Sequence, residues 1–242
     1  MTTVSTMRRV WETSPRFQAR MAGVISLITT TSGFAAFVRG SLIVYGDAAA
    51  TAHNILAHEL LFRLAFIGDV IAFLYILYTL LLYNLFKPVD ERVSLLAAIV
   101  SLVGCTIGAL VSVLELAPLV ILRGAQSWRA FSMEQLQALA LMSLRLHDDG
   151  YTVSMVFFGS YNLLIGYLIF RSTFIPRILG VLLAVSGLCY LVNCFANFIS
   201  PAFAAHLVPY ILIPGAAELL LAVWLVVMGV NIQRWNEQAG TP

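Results

Sequence analysis

The sequence predicts an all-α fold, a polytopic transmembrane helical bundle of about six spans with short amphipathic helices on its outer face. Three observations predict it. Of 242 residues, 60% are apolar and 11% charged, and the mean hydropathy is +0.91. A soluble domain carries about 25% charged residues, so this chain cannot cover a globule with polar surface. That excludes a soluble domain, a disordered chain and a nucleic-acid binder with clustered Lys and Arg. Second, six mostly apolar stretches reach the roughly 20 residues that a membrane-crossing helix needs. Third, runs such as LLAVSGLCYLV and ELLLAVWLVV do not alternate as the strands of a membrane barrel would.

The six spans fall at about 17–38, 60–86, 93–122, 151–170, 176–199 and 209–230. Residues 17–231 thus form a transmembrane domain between polar tails at 1–16 and 232–242. The first span lacks a small-residue cleavage site and reads as a retained helix. With six spans, Arg8, Arg9, Arg16, Arg20, Lys87, Arg92, Arg171, Arg177 and Arg234 share one side, against Arg39, Arg63, Arg123, Arg129 and Arg145 on the other. Positive charge collects on the cytoplasmic side, which predicts a multi-pass inner-membrane protein with both termini in the cytoplasm. Loops two and four are short, so the elaborated structure lies outside. In loop one Asp47 is a good N-cap for a short helix. In loop three Ser132 and Gln135 have capping-box spacing, which predicts an amphipathic helix over 133–147 on the membrane or over the bundle. Cys105, Cys189 and Cys194 lie in predicted spans and read as small buried groups, not a disulfide framework.

Within the spans, polar residues fall on single helix faces. Span three carries Ser94, Ser101, Cys105, Gly108, Ser112 and Glu115 on one face. Span five carries Ser186, Tyr190, Asn193 and Asn197, and span six carries Gly215, Glu218, Ala222 and Gly229. Span one carries Gly23, Ser26, Thr30 and Gly33. Small and hydroxyl residues in such faces serve helix packing. Ionisable residues are different, because a charge in hydrocarbon is costly and faces the bundle interior or a wet cavity. Span two holds Arg63 and Asp69, with Asp69 about 9 Å deeper. Glu59 and Arg63 make an ordinary i,i+4 pair, so Asp69 must find a partner on another span. Glu115 sits about two turns below the outer surface, and Glu218 roughly 13 Å in. Asn193 and Asn197 stand near the outer end of span five, and His147, Asp148 and Asp149 at the mouth of span four. Arg63, Asp69, Glu115, His147, Asn193, Asn197 and Glu218 are therefore the candidate ligand-binding residues of an outward-opening polar cavity. Pro118, Pro209 and Pro214 are candidate helix breaks near that side.

Standard catalytic and cofactor motifs are missing: no GxSxG, HExxH, Walker loop or paired-Cys metal signature occurs. No catalytic residue, cofactor or metal is assigned. His147 with Asp148 or Asp149, Glu115 and Glu218 has the donor types of a hydrated metal site, but the sequence alone does not bring them together. His53 and His58 are five apart, a poor spacing for two ligands on one helix, and His206 reads as solvated.

The strings ARMAGVISLI, FVRGSLIV, GDAAATA, FRLAFIGD, MEQLQALALMSLRLH, VFFG and GYLIFRSTFIPRILGVLL resemble the bacterial membrane-protein family known as domain of unknown function 4386. The resemblance covers roughly 17–231 and implies a multi-helix inner-membrane protein. It brings no activity, substrate or catalytic residue. Three function classes follow. One is a membrane protein whose cavity binds a small or lipid-like ligand, for sensing or transport. Another is an intramembrane hydrolase or metalloenzyme in which Asp69, Glu115, His147 and Glu218 converge. The third is a structural or accessory subunit without a site. The lipid bilayer is the one partner the sequence names; nucleic acid is excluded and protein partners are open.

Overall fold

The computed structural model describes residues 14–124 and 130–240, with the backbone alone described for 207–215. Arg8, Arg9 and Arg129, which enter the charge count above, lie outside the described residues, and only the backbone is described at Pro209, Pro214 and Gly215. Ten helices are described, and no strand occurs among the described residues: α1 Pro15–Thr29, α2 Thr31–Leu42, α3 Ala48–Ala57, α4 Glu59–Ala72, α5 Tyr75–Phe86, α6 Glu91–Arg123, α7 Met133–Arg171, α8 Arg177–Ile199, α9 Pro201–Val227 and α10 Ile232–Ala239.

Among the described residues, five spans are long and apolar enough to cross a membrane: Pro15–Leu42, Glu59–Phe86, Glu91–Arg123, Met133–Arg171 and Arg177–Ile199. A sixth is reached when Ala216–Val227 and Ile232–Ala239, bent by 100° at their junction, count as one. At 27 residues α9 is long enough by itself. Polar α10 instead folds back: Trp235 Nε1 donates to Leu85 O at 2.9 Å, and Arg234 Nη1 to Thr173 O at 3.2 Å. Large apolar side chains stand exposed along the helices, among them Phe34, Phe37, Leu110, Val113 and Val120. Such surface is stable only against lipid.

The local signals act as read. Asp47 caps α3, its Oδ1 accepting from Ala50 N at 2.8 Å. Ser132 N donates to Gln135 Oε1 at 2.8 Å, and Gln135 N to Ser132 Oγ at 3.3 Å, which closes the capping box at the start of α7. Two expectations are corrected. The helix expected over 133–147 does not end before span four; one 39-residue helix runs on through Gly150 to Arg171. Helix breaks do not fall at prolines either. α6 continues through Pro118, and α9 through positions 209 and 214. The breaks lie instead at Thr30 and at 73–74. At the first, Thr31 Oγ1 and Ser32 Oγ each donate to a carbonyl three residues back, at 2.8 and 3.0 Å. Such back-bonding competes with the helix ladder and bends it. At 73–74 neither Pro nor Gly is present, and nothing in the local sequence explains the break.

The chain packs as two compact units that interleave in sequence. Of the described residues, unit 1 takes 14–27, 75–102 and 156–240, and unit 2 takes 28–74, 103–124 and 130–155. In unit 1, Leu82, Leu85, Phe86, Tyr161, Ile165 and Leu221 form the core. Thr79 and Ser101 share a hydrogen bond of 2.7 Å, and Ser94 Oγ donates to Tyr83 O at 3.0 Å, so the polar face of span three fastens α5 to α6. Lipid tails match Leu in polarity, so close contact and hydrogen bonds must supply what the hydrophobic effect supplies in water. Helices α7 and α8 meet backbone to backbone: a Cβ on Gly166 would lie 2.7 Å from Gly180 O, and one on Gly180 2.6 Å from Gly166 O. The Gly23 face of span one packs likewise on the Ala222 face of span six, where an added Cβ would stand 2.7 Å from Ala222 O.

A bulky residue at either partner must therefore push two backbones apart. Gly180→Val is expected to cost about 1–3 kcal/mol in thermal unfolding of detergent-purified protein, the usual range for overpacking. Gly33→Ala meets open space and should be neutral or slightly stabilising, since Ala exceeds Gly as a helix former by about 1 kcal/mol. Equal melting temperatures for wild type and Gly180→Val would refute the account.

Candidate functional site

Unit 2 is built so that four helices present polar groups to one another. The approach of α2 to α4 is close at Gly68, where a Cβ would stand 2.9 Å from Ala35 Cβ. Arg39 lies one turn beyond Ala35 and Asp69 next to Gly68, so the two meet. A second close approach joins α6 and α7: a Cβ on Gly150 would lie 2.5 Å from Val111 Cγ1. Glu115 is one turn from Val111, and His147 three residues from Gly150. Phe62, Ile55, Leu42, Leu119 and Leu144 form the apolar packing of the same unit.

The result is a buried cluster. Arg39 Nη1 stands 2.5 Å from Asp69 Oδ2 and 3.0 Å from Glu115 Oε1. The Arg39, Asp69 and Glu115 side chains are 8%, 14% and 0% exposed. Both Glu115 oxygens are buried, and Arg39 meets the carboxylate at Oε1 as an ion pair. His147 Nε2 is 4.0 Å from Glu115 Oε2, while its Nδ1 is 3.2 Å from Asp148 Oδ1. A carboxylate accepts only, so Nδ1 carries the proton in the neutral ring and Nε2 presents its lone pair. Tyr45 donates its hydroxyl to Asp148 Oδ2, and the Arg145 guanidinium lies 5.9 Å over the Tyr45 ring. Burial, and then the hydrogen bond to Asp148, push the Tyr45 hydroxyl above its ordinary pKa. Tyr151 stacks on His147 with ring centroids 6.1 Å apart. Asp69, Glu115 and His147 each offer one ligand atom, and those three atoms lie within 4.8 Å of one another.

Of the residues singled out on the sequence, Asp69, Glu115 and His147 come together. Arg63 does not join them. Its side chain is 51% exposed, and its Nη2 pairs with Glu59 Oε1 at 2.8 Å, the i,i+4 pair expected. Arg123 binds the other Glu59 oxygen. Asn193, Asn197 and Glu218 belong to unit 1. There Asn197 Nδ2 donates to Asn193 O at 2.9 Å and approaches Asn193 Oδ1 at 3.3 Å. Glu218 accepts from Asn162 Nδ2 at 2.6 Å, with Tyr190 a further hydrogen-bond partner. Asp149 is exposed. The arginine of the cluster is one that sequence reasoning placed in loop one. Its span runs on to Leu42, which draws Arg39 into the buried part of α2. The signal was present: Asp69 needed a partner on another span, and Arg39 stands one residue past the expected end of span one.

Residues 21–229 match the family described as domain of unknown function DUF4386. The chain belongs to this family. It is also 30% identical over 95 residues to an uncharacterized protein of Archaeoglobus fulgidus, a match covering 39% of this chain and 51% of that one. The chain thus spans about half the length of the curated relative it matches. No solved structure matches. All seven residues of the cluster, from Arg39 and Tyr45 through Asp148 and Tyr151, fall inside the stretch that matches the family.

Removing Arg39 would strand two buried carboxylates. Breaking a buried ion pair from one side costs about 3–5 kcal/mol. Arg39→Met should therefore show that loss in thermal unfolding, and Arg39→Met with Asp69→Asn should lose less than the sum of the two single variants. Arg63→Ala should cost under about 1 kcal/mol, as exposed pairs do. A larger loss for Arg63→Ala than for Arg39→Met would reverse the assignment.

Proposed function

We propose that this chain is a membrane protein that binds a small cation, or a ligand with a cationic head, at the Arg39–Asp69–Glu115–His147 cluster, for sensing or transport. The observation that carries the reading is Glu115: a fully buried carboxylate that shares the Arg39 guanidinium with a second acid, Asp69. Arg39 serves two carboxylates, which leaves one formal negative charge. Negative charge in a low-dielectric interior is costly until a cation compensates it. The broken spans add support. Arg39 lies on α2 and Asp69 on α4, each one half of a span interrupted near its middle. Interrupted helices supply binding groups at mid-membrane in transporters. A second reading, an intramembrane metalloenzyme, is favoured by one observation, the convergence of Asp69, Glu115 and His147.

The reading is tested by thermal unfolding of detergent-purified protein in K⁺, Mg²⁺, Mn²⁺, Zn²⁺, choline and spermidine. At a hundredfold excess over Kd, a bound cation stabilises by about 2.7 kcal/mol. At least one of these should do so in wild type and fail in Glu115→Gln. No stabilisation by any of them, or equal stabilisation of the variant, overturns the proposal.

We further propose the bacterial inner membrane as the location, with both termini in the cytoplasm. The support is the excess of Lys and Arg on the terminal side, Lys87, Arg92, Arg171 and Arg177 among them. A fluorescent protein fused after Pro242 should be bright, and a phosphatase that requires the periplasm should be inactive there. The reverse pattern overturns the orientation.

A further inference from the structure

We infer that the cation is a divalent transition-metal ion held by Asp69, Glu115 and His147. This rests on the proposed cation site and names its occupant. Three features separate a metal from an organic cation. First, the donor set is two carboxylates and one imidazole, which suits Zn²⁺, Mn²⁺ or Fe²⁺ better than the all-oxygen preference of Ca²⁺ and Mg²⁺. The three ligand atoms lie within 4.8 Å of one another. Ligands at about 2.0–2.2 Å from one ion can stand up to about 4 Å apart, so adjustment of under about an ångström closes the site. Second, His147 is oriented as metal-binding histidines are. Asp148 holds Nδ1 at 3.2 Å, and Nε2 is directed toward Glu115 at 4.0 Å. A carboxylate on the far ring nitrogen fixes the tautomer and raises the basicity of the ligating one. Third, Glu115 is fully buried, and its Oε2 has no hydrogen-bond partner, with His147 Nε2 4.0 Å away.

Arg39 Nη1 meets one oxygen of each carboxylate, Asp69 Oδ2 and Glu115 Oε1. With a metal bound, the guanidinium would hold the ligating carboxylates in place, as outer groups do at metal sites. Asp69 and Glu115 against one guanidinium leave one formal negative charge, which a bound metal ion offsets. Glu218, engaged by Asn162 in unit 1, is not part of the ligand set.

The test uses the full chain, purified in detergent, stripped with a chelator and reloaded separately with Zn²⁺, Mn²⁺ and Co²⁺. Bound metal is counted by mass spectrometry after desalting, and Co²⁺ loading is followed by its visible absorption. About one ion per chain is expected for wild type and Arg63→Ala, and none for Glu115→Gln or His147→Gln. Asp148→Asn should bind about 10–100-fold more weakly. Size-exclusion profile and helical circular dichroism, unchanged in the variants, separate lost binding from lost folding. Retention of metal by folded His147→Gln and Glu115→Gln alike would mean an adventitious ion and overturns the inference. So does metal-free wild type. If metal is absent while choline or spermidine still stabilises wild type through Glu115, the metal is wrong and the cation site stands. If nothing stabilises wild type, both fail.

Discussion

The arrangement of unit 2 depends on one guanidinium buried between two carboxylates. Arg39, on α2, engages Asp69 on α4 and Glu115 on α6 at 2.5 and 3.0 Å. None of the three is stable alone among apolar helices, since an unpaired charge there costs several kcal/mol. Together they fix the register of three helices, because a one-turn slip of any would carry its charge about 5.4 Å out of reach. Apolar packing cannot specify register in this way: against lipid, one leucine contact is much like another. The glycine contacts let the backbones approach, and the charges determine where along their length they stop.

Two carboxylates on one cation make an asymmetric solution. If satisfaction were the whole purpose, a single Asp–Arg pair would suffice, and Glu115 could be an alanine or serine like its neighbours on the same face. The chain instead retains a second acid that shares the guanidinium of Asp69, and a histidine whose far nitrogen is engaged. Contrast Glu218 in unit 1. There Asn162 donates at 2.6 Å and Tyr190 joins it, a carboxylate supplied with neutral donors and in no need of a cation. The two acids share a residue type and an apolar setting, and differ in their partners: neutral donors for Glu218, a shared cation for Glu115.

The fold was legible because its signals are local. Hydropathy placed the spans, Asp47 placed the start of α3, and Ser132 with Gln135 placed the start of α7. Span three's polar face, read by its spacing, is the buried face of α6: Ser94, Ser101, Cys105, Ser112 and Glu115 are all buried. What the sequence hid were non-local matters. Continuity of α7 through Gly150 depends on Val111 packing against that glycine, and no residue of 147–151 announces it. The break at 73–74 carries no Pro or Gly. Proline at 118 was a poor guide because α6 accommodates it without ending.

The site divides along the same line. Asp69 is expected to find a partner on another span, since Arg63 lies off its face and its i,i+4 and i,i+3 neighbours are apolar. Hydropathy then misled, because Arg39 itself lowers the apolar score and so ends the apparent span just before it. The helix ends at Leu42, not at Val38, because Arg39 is paired there: once its charge is met by Asp69 and Glu115, nothing prevents the helix from continuing. An ion pair between spans thus erases the signal by which a boundary is drawn. A buried arginine will then read as a loop residue wherever its partners lie far away in sequence, as Asp69 and Glu115 do, 30 and 76 positions on. The search for such a residue has to begin from the unpaired acid, whose need for a partner is readable, and proceed to cations just beyond the ends of the spans.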